Sequence, residues 1–380
     1  MDFKILGLVC LLLINITYAL MPADWYYGRD SYFTDGQTLA LAGNKLFQPT
    51  VYINNPLSKI LNKMQLSFGY NFCFLQERRT RQVFDQFDNT VGEVAFSENL
   101  FTDGKLGNIS ILYPLRVLNI GFNLSPINNF DYYFYQEFRD DFYAKVGEEE
   151  LKIIGQIYNA RFMVGKEFQN KFGVGVGLNY YFGTRKFSYH YQYGNNLINA
   201  DTTGSPSGIG AIFGFSIMPS ERILVHFDYQ SSATLKKWLS DNSQKYPAHL
   251  NLAVAYLAGG EIPTQVGISG QYTNWQIVNN NYQNIYEVGI GVEHLMFNSV
   301  ALRYGFRLQP SFVPPIVHQG AISFGWGFAI GKVNIDIAAA IKRRIINNEN
   351  LIVPGNDNTI KVYQNTGDIM IGVTIPIEKL

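Results

Sequence analysis

The chain has 380 residues, 30 basic and 30 acidic groups, and no net formal charge at neutral pH. That balance excludes a nucleic-acid binder working through a basic surface, which carries an excess or a stripe of Lys and Arg. Charged residues make up only 16% while aromatics reach 15%, with 35 Gly. A chain that is apolar yet of near-zero mean hydropathy suits a transmembrane barrel, where lipid-facing residues alternate with polar lumen-facing ones.

In chain order, the first element is an export signal over residues 1–19. Lys4 supplies the positive end, Ile5 to Ile14 form a short apolar run, and Thr17-Tyr18-Ala19 places small residues at both recognition positions of a cleavage site. The run is about half of what a spanning helix needs. Val9 before Cys10 is too large for lipoprotein processing. After cleavage only Cys73 remains, so neither an internal disulfide nor a thiolate metal cluster is expected.

Residues 20–62 lack strand periodicity and hold one short run able to form a helix, Thr38–Ala42. From about Gln65 onward the sequence alternates in steps of two. Val333, Ile335, Ile337, Ala339 and Ile341 share one face, while Lys332, Asn334, Asp336 and Lys342 share the other. Ile322, Phe324, Trp326, Phe328 and Ile330 stand opposite Ser323, Gly325, Gly327 and Ala329. Successive strand side chains point to opposite faces, so each run makes one apolar and one polar wall. About 14 such runs are found, beginning near residues 65, 107, 118, 153, 172, 208, 222, 247, 264, 285, 299, 319, 332 and 361.

The connections alternate between short turns and long loops, the latter expected near 80–106, 130–150, 186–207, 231–246, 275–284, 309–318 and 344–360. Short turns on one side and long loops on the other mark an outer-membrane barrel. The sequence therefore predicts an all-β fold: a transmembrane antiparallel β-barrel of about 14 strands over residues 63–380, with an N-terminal hatch in the lumen formed by 20–62. Small inward residues leave room for such a plug. Tyr113, Tyr181, Tyr229, Tyr256, Trp275 and Tyr304 are candidates for the aromatic girdles.

Ala42-Gly43-Asn44, and then Asn54-Asn55-Pro56-Leu57 leading into the first strand, resemble the hatch of the FadL-type long-chain fatty acid transporter family. Tyr246-Pro247-Ala248-His249-Leu250 resembles its proline-led strand entry. Leu302-Arg303-Tyr304-Gly305-Phe306, the loop holding Pro310, Pro314 and Pro315, Ser323-Phe324-Gly325-Trp326-Gly327 and Val333-Asn334-Ile335-Asp336 are similar to its late strands. The resemblance spans nearly the whole mature chain. It departs from the family at Leu57, where Ala is usual, and at Leu380, where outer-membrane proteins commonly carry an aromatic residue. The resemblance implies a 14-stranded barrel with a hatch motif at Gly43, Asn44, Asn54, Asn55 and Pro56. It also implies a path by which an amphiphile enters among extracellular loops and leaves sideways through the wall.

Chemistry for catalysis is not expected. The five His residues share no metal-ligand spacing, and no nucleophile elbow, phosphate loop or His-Glu-x-x-His occurs. No cofactor or metal follows, and the protein reads as no enzyme. His226, Asp228, Glu287, Glu293, Arg303, Arg307 and Asp336 are lumen-facing candidates. They either fix the hatch or meet a ligand carboxylate, or they pair with one another across the wall, as Glu293 with Arg303. Arg78-Arg79-Thr80-Arg81 and Lys342-Arg343-Arg344 lie at the expected extracellular rim, where lipopolysaccharide and other anionic lipid head groups are natural partners.

The function expected is a passive outer-membrane channel for hydrophobic or amphipathic small molecules. The alternative is a FadL-like barrel acting as a protein-secretion shuttle or scaffold, with secretion-system proteins as partners. The partners expected of the channel are the lipid bilayer and a hydrophobic ligand, with no nucleic acid.

Overall fold

The structure is a computed structural model that describes residues 29–30, 35–44, 63–115, 117–140, 142–168, 171–296, 299–312, 318–347 and 360–377. The export signal of residues 1–19 lies outside the described residues.

Fourteen long strands make the wall: β1 (Met64–Phe84), β2 (Thr90–Pro114), β3 (Asn119–Asn129), β4 (Lys145–Phe168), β5 (Phe172–Tyr193), β6 (Ser207–Ser220) and β7 (Ile223–Gln230). They continue as β8 (Ala248–Ala258), β9 (Thr264–Asn274), β10 (Ile285–Met296), β11 (Val300–Pro310), β12 (His318–Ile330), β13 (Val333–Asn347) and β14 (Ile360–Ile377). Each pairs antiparallel with its neighbours in sequence, and β14 returns to β1 in a register running from Ile377↔Met64 to Ile360↔Arg81. Among the described residues the ring of pairings closes on itself. Backbone donors and acceptors inside hydrocarbon can be satisfied only in this way when strands rather than helices cross it.

The period-two pattern sets the side-chain faces. In β12, Ile322 is 68% exposed and Ser323 is 3% exposed, and Trp326 points outward between the buried Gly325 and Gly327. The outward positions of β1 (Phe68, Tyr70, Phe72), β10 (Val288, Ile290) and β11 (Phe306, Leu308) are likewise exposed. An unbroken belt of aromatic and aliphatic residues on a closed cylinder faces lipid. Tyr113, Tyr229, Tyr256 and Tyr304 stand on this outer surface. Tyr181 and Trp275 do not: both are buried inside. Tyr181 falls between the outward Tyr180 and Phe182, and Trp275 ends its strand in a 3-10 turn over Trp275–Ile277.

Several segments read as loops are strands. β1 and β2 continue as a paired hairpin out to Phe84 and Thr90. Its turn is closed by the Asp85 carboxylate, which accepts from the backbone N–H groups of Phe87 (2.8 Å) and Asn89 (2.9 Å). Tyr132–Arg139 pairs with β4, and Asn196–Gly204 with the far end of β5. Beyond the lipid both strand faces meet water or protein. The apolar–polar contrast that reveals a strand in the sequence fades there, although the ladder continues.

Apolar masses pack parts of the interior among the described residues. A small one surrounds helix α1 (Gly36–Ala40), where Leu39 and Ala40 meet Ala338, Ala340 and Met370. The large one occupies the extracellular half and includes Leu75, Phe130, Phe134, Ile153, Trp238 and Trp275.

Candidate functional site

The site begins with the short segment that packs on the inner wall. Of residues 20–62, only 29–30 and 35–44 are described. Asp35 caps α1 by accepting from Thr38 N–H at 2.8 Å. The helix stops through Ala42 (φ 53°) and Gly43 (φ 89°), with Gly43 N–H donating to the Thr38 carbonyl at 2.9 Å. Asn44 is fully buried, and its side-chain amide donates to the Leu41 carbonyl at 2.8 Å. Gly43 and Asn44 of the expected hatch motif thus form the helix stop. Asn54, Asn55 and Pro56 lie outside the described residues.

The barrel wall is cut back to receive this turn. A Cβ added at Gly291 would lie 2.6 Å from the Leu41 carbonyl oxygen, at Gly305 2.9 Å from the Ala42 nitrogen, and at Gly325 2.7 Å from the Ala40 Cβ. Glycine on these strands is a space requirement, because the segment's backbone rests directly on the sheet. Ser323 Oγ donates to the Ala40 carbonyl at 2.9 Å, fixing the helix over β12.

The charged residues expected to face the lumen gather into three groups. Arg303 donates from Nε to Glu293 at 2.5 Å and from Nη1 to Asp336, joining β10, β11 and β13. Gln37 of α1 reaches the same Glu293 carboxylate at 3.5 Å, so this cluster touches the helix as well as the wall. Arg307 donates to Glu287 (Nε, 2.9 Å) and to Gln271 (3.4 Å). His226 stands between Ser216 Oγ (2.8 Å from Nδ1) and Asp228 Oδ2 (3.2 Å from Nε2), and Asn251 donates to Asp228 at 3.0 Å.

The last group has the composition of a hydrolase triad but not its surroundings. Ser216 is fully buried in mid-strand, with β5 on one side and β7 on the other. Its neighbouring backbone N–H groups are committed to the ladder rather than aimed at an oxyanion. Among the described residues, no group of three or more His, Cys, Asp or Glu could hold a metal.

Above α1 the lumen turns apolar. Phe130, Tyr132 and Phe134 come from the stretch that follows β3, and Trp238 and Tyr246 from the connection after β7. Trp275 stacks on Phe312 with ring centres 3.7 Å apart, and Tyr282 meets that Phe312 edge-on. Arg185 lies over the rings of Phe130 (5.1 Å) and Trp238 (5.5 Å).

Glu77 and Arg79 enter this mass at the level where the outer face becomes polar, past Gln76 and Arg78. Burial pushes the Glu77 carboxyl up to about 7, against the pull of the Arg79 guanidinium 2.7 Å away. Burial also raises Glu149, which accepts from the Tyr189 hydroxyl at 2.9 Å. The sequence reading missed this mass. Phe130, Phe134, Trp238 and Trp275 sit in stretches read as loops, while Leu75, Ile153, Tyr181 and Ile285 come from stretches read as strands.

The wall is interrupted beside this apolar chamber. β2 and β3 pair only from Pro114↔Asn119 to Ile109↔Leu124. Pro126 then brings a bulge between Pro126 and Asn128 in the β3–β4 ladder, which resumes at Asn128↔Ile157, while on the side toward β2 Asn128 and Asn129 pair with Asp30 and Arg29. Above Leu124, side chains rather than ladder bonds bridge β2 to the chain after β3. Asn129 Nδ2 donates to Asp103 at 3.1 Å, and Lys105 Nζ donates to Asn129 Oδ1 at 3.0 Å and also binds Asp131. Phe130 follows at once and is fully buried in the chamber.

No protein-family model and no curated protein matches the chain. Solved structures do. A FadL homologue from Pseudomonas aeruginosa superposes with a TM-score of 0.66 at 12% identity, covering 92% of this chain and 99% of that one. The toluene transporter TodX from Pseudomonas putida gives 0.62 at 12% identity, with 93% and 100% covered. The toluene transporter TbuX from Ralstonia pickettii gives 0.57 at 13%, with 93% and 99% covered. At such identities the likeness is one of fold. The chain shares the architecture of these proteins along nearly its whole length.

Proposed function

We propose that this protein is an outer-membrane channel for the passive uptake of hydrophobic or amphipathic small molecules, exported by a signal at residues 1–19 and plugged by residues 20–62. The observation that carries this reading is the buried apolar cluster of Phe130, Tyr132, Trp238 and Trp275 inside the barrel, lying against the break between β2 and β3. A polar-solute pore needs a wet lumen, whereas this one is filled from the wall inward by aromatic rings.

An apolar solute gains about 0.8 kcal/mol per buried methylene on leaving water. A route from chamber to bilayer through the wall keeps it out of water throughout. Parting of the Trp275–Phe312 stack admits the solute from outside, and loosening of the Asp103–Asn129–Lys105 knot releases it sideways. The fold shared with two toluene transporters supports the same reading. A secretion scaffold needs a sealed wall, so the interrupted ladder favours the channel.

Uptake by cells whose outer membrane carries the protein tests this. Radiolabelled toluene and a long-chain fatty acid are expected to enter several-fold faster than in cells without it, while arabinose enters at the same rate. Faster arabinose entry with unchanged toluene and fatty-acid entry would overturn the proposal.

A further inference from the structure

The outer face of the barrel carries a polar pocket where β1, β13 and β14 rise out of the lipid belt. Its cavity of about 390 Å³ is lined by Gln76, Arg78, Thr80, Glu93, Arg343, Tyr363 and Asn365. The register places these side chains together: Tyr363 lies opposite Arg78, Asn365 opposite Gln76, and Arg343 opposite Asn365. All continue the outward rows that hold Phe72, Ile341 and Ile371 lower down. One residue pair toward the periplasm the same rows are apolar, with Phe74 lying over Gly367 beside the exposed Ile341. A step of two residues is roughly 7 Å along a strand. A polar recess therefore opens directly above a lipid-facing apolar strip.

The charges of the recess are not cancelled within it. Glu93 is already committed: it accepts from Thr80 (3.0 Å) and the Tyr363 hydroxyl (2.8 Å) and binds Lys361. These donors hold its carboxyl down at about 2, so it stays ionised and balances Lys361. Arg78 reaches Glu98 at 3.5 Å in a half-exposed pair, the kind that gives way readily to a better anion. Arg343 is exposed and has no carboxylate within ion-pair distance among the described residues. Two guanidiniums thus stand at one recess with the Gln76 and Asn365 amides between them, while the Thr80 and Tyr363 hydroxyls are spent on Glu93. That set suits a tetrahedral oxyanion, which arginine binds through parallel N–H bonds.

We propose that this recess binds the phosphorylated head group of an outer-leaflet lipid, whose acyl chains lie along Phe72, Phe74, Ile341 and Ile371. The lipid rather than free phosphate is the occupant because the recess adjoins the hydrocarbon belt, where a tethered phosphate is held at high local concentration. Bound there, the lipid also braces the β14–β1 junction that closes the barrel.

The test uses the full-length protein in nonionic detergent, with binding of bisphosphorylated lipid A read by native mass spectrometry. R78Q and R343Q are each expected to weaken binding about tenfold, the scale of one charge-assisted hydrogen bond. R139Q, on the distant extracellular hairpin, is expected to leave binding unchanged, as is either arginine variant toward fully dephosphorylated lipid A. Circular dichroism of each variant checks that the barrel is intact. Equal lipid A binding by the folded R78Q/R343Q protein would overturn the proposal. Displacement of lipid A by equimolar inorganic phosphate would also overturn it, because the site would then belong to the free anion.

Discussion

Replacing Arg303 by methionine is expected to destabilise the folded barrel by about 3–5 kcal/mol, the cost of breaking a buried ion cluster from one side. Arg303 is 4% exposed and joins Glu293 and Asp336, of which Glu293 is 1% exposed. Without the guanidinium, two carboxylates face each other in the lumen. The helix contact through Gln37 loses its charged anchor as well. Adding E293Q and D336N to R303M is expected to restore most of the loss, since no charge is then stranded. Urea titration of the refolded protein in detergent, followed by tryptophan fluorescence, reads both numbers. A single-variant loss below about 1 kcal/mol would show that the cluster is solvated and does not hold the wall together.

Placing arginine at Ile322 is expected to cost about 1–2 kcal/mol in a lipid bilayer, between the midplane and interface values for a cation on the lipid face of a barrel. Ile322 lies between Phe306 and Ile341 on neighbouring strands and is 68% exposed. Leu197, on the extracellular extension, is 59% exposed, yet L197R is expected to stay within about 0.5 kcal/mol of the parent. Two leucine-like positions of similar exposure then differ only in the solvent they meet. Equal costs at both, measured by urea unfolding in lipid vesicles, would place Ile322 in water.

Both effects rest on features that were partly legible in the sequence. The strand count and the inward or outward sense of each run followed from period two, because lipid on one side and lumen on the other give every spanning stretch the same contrast. Gly325 reads as a small inward residue in the sequence, and the structure adds Gly289, Gly291 and Gly305 to the same inner surface. Their purpose is set by the turn at Leu39–Ala42, which packs on them from some 250 residues away in the chain.

The apolar chamber was hidden for the opposite reason. Phe130, Trp238 and Trp275 follow strand ends in segments whose periodicity is irregular, and nothing local says whether an aromatic there points to lipid or lumen. Tyr181 and Trp275, expected in the interface girdle for their nearness to strand ends, are both interior. The break beside β3 had one visible sign, Pro126 within a strand. A proline there removes a ladder donor, and the register shows the interruption it accompanies.

The account stands on sideways release between β2 and β3. In a C73S background, cysteines at Asp103 and Asn129, whose side chains touch at 3.1 Å, allow a short thiol-reactive linker to tie the two strands across the gap. Uptake of radiolabelled toluene is expected to fall to the level of cells lacking the protein once the linker is in place, and to recover when a cleavable linker is cut. Unchanged uptake with the strands tied would contradict that route.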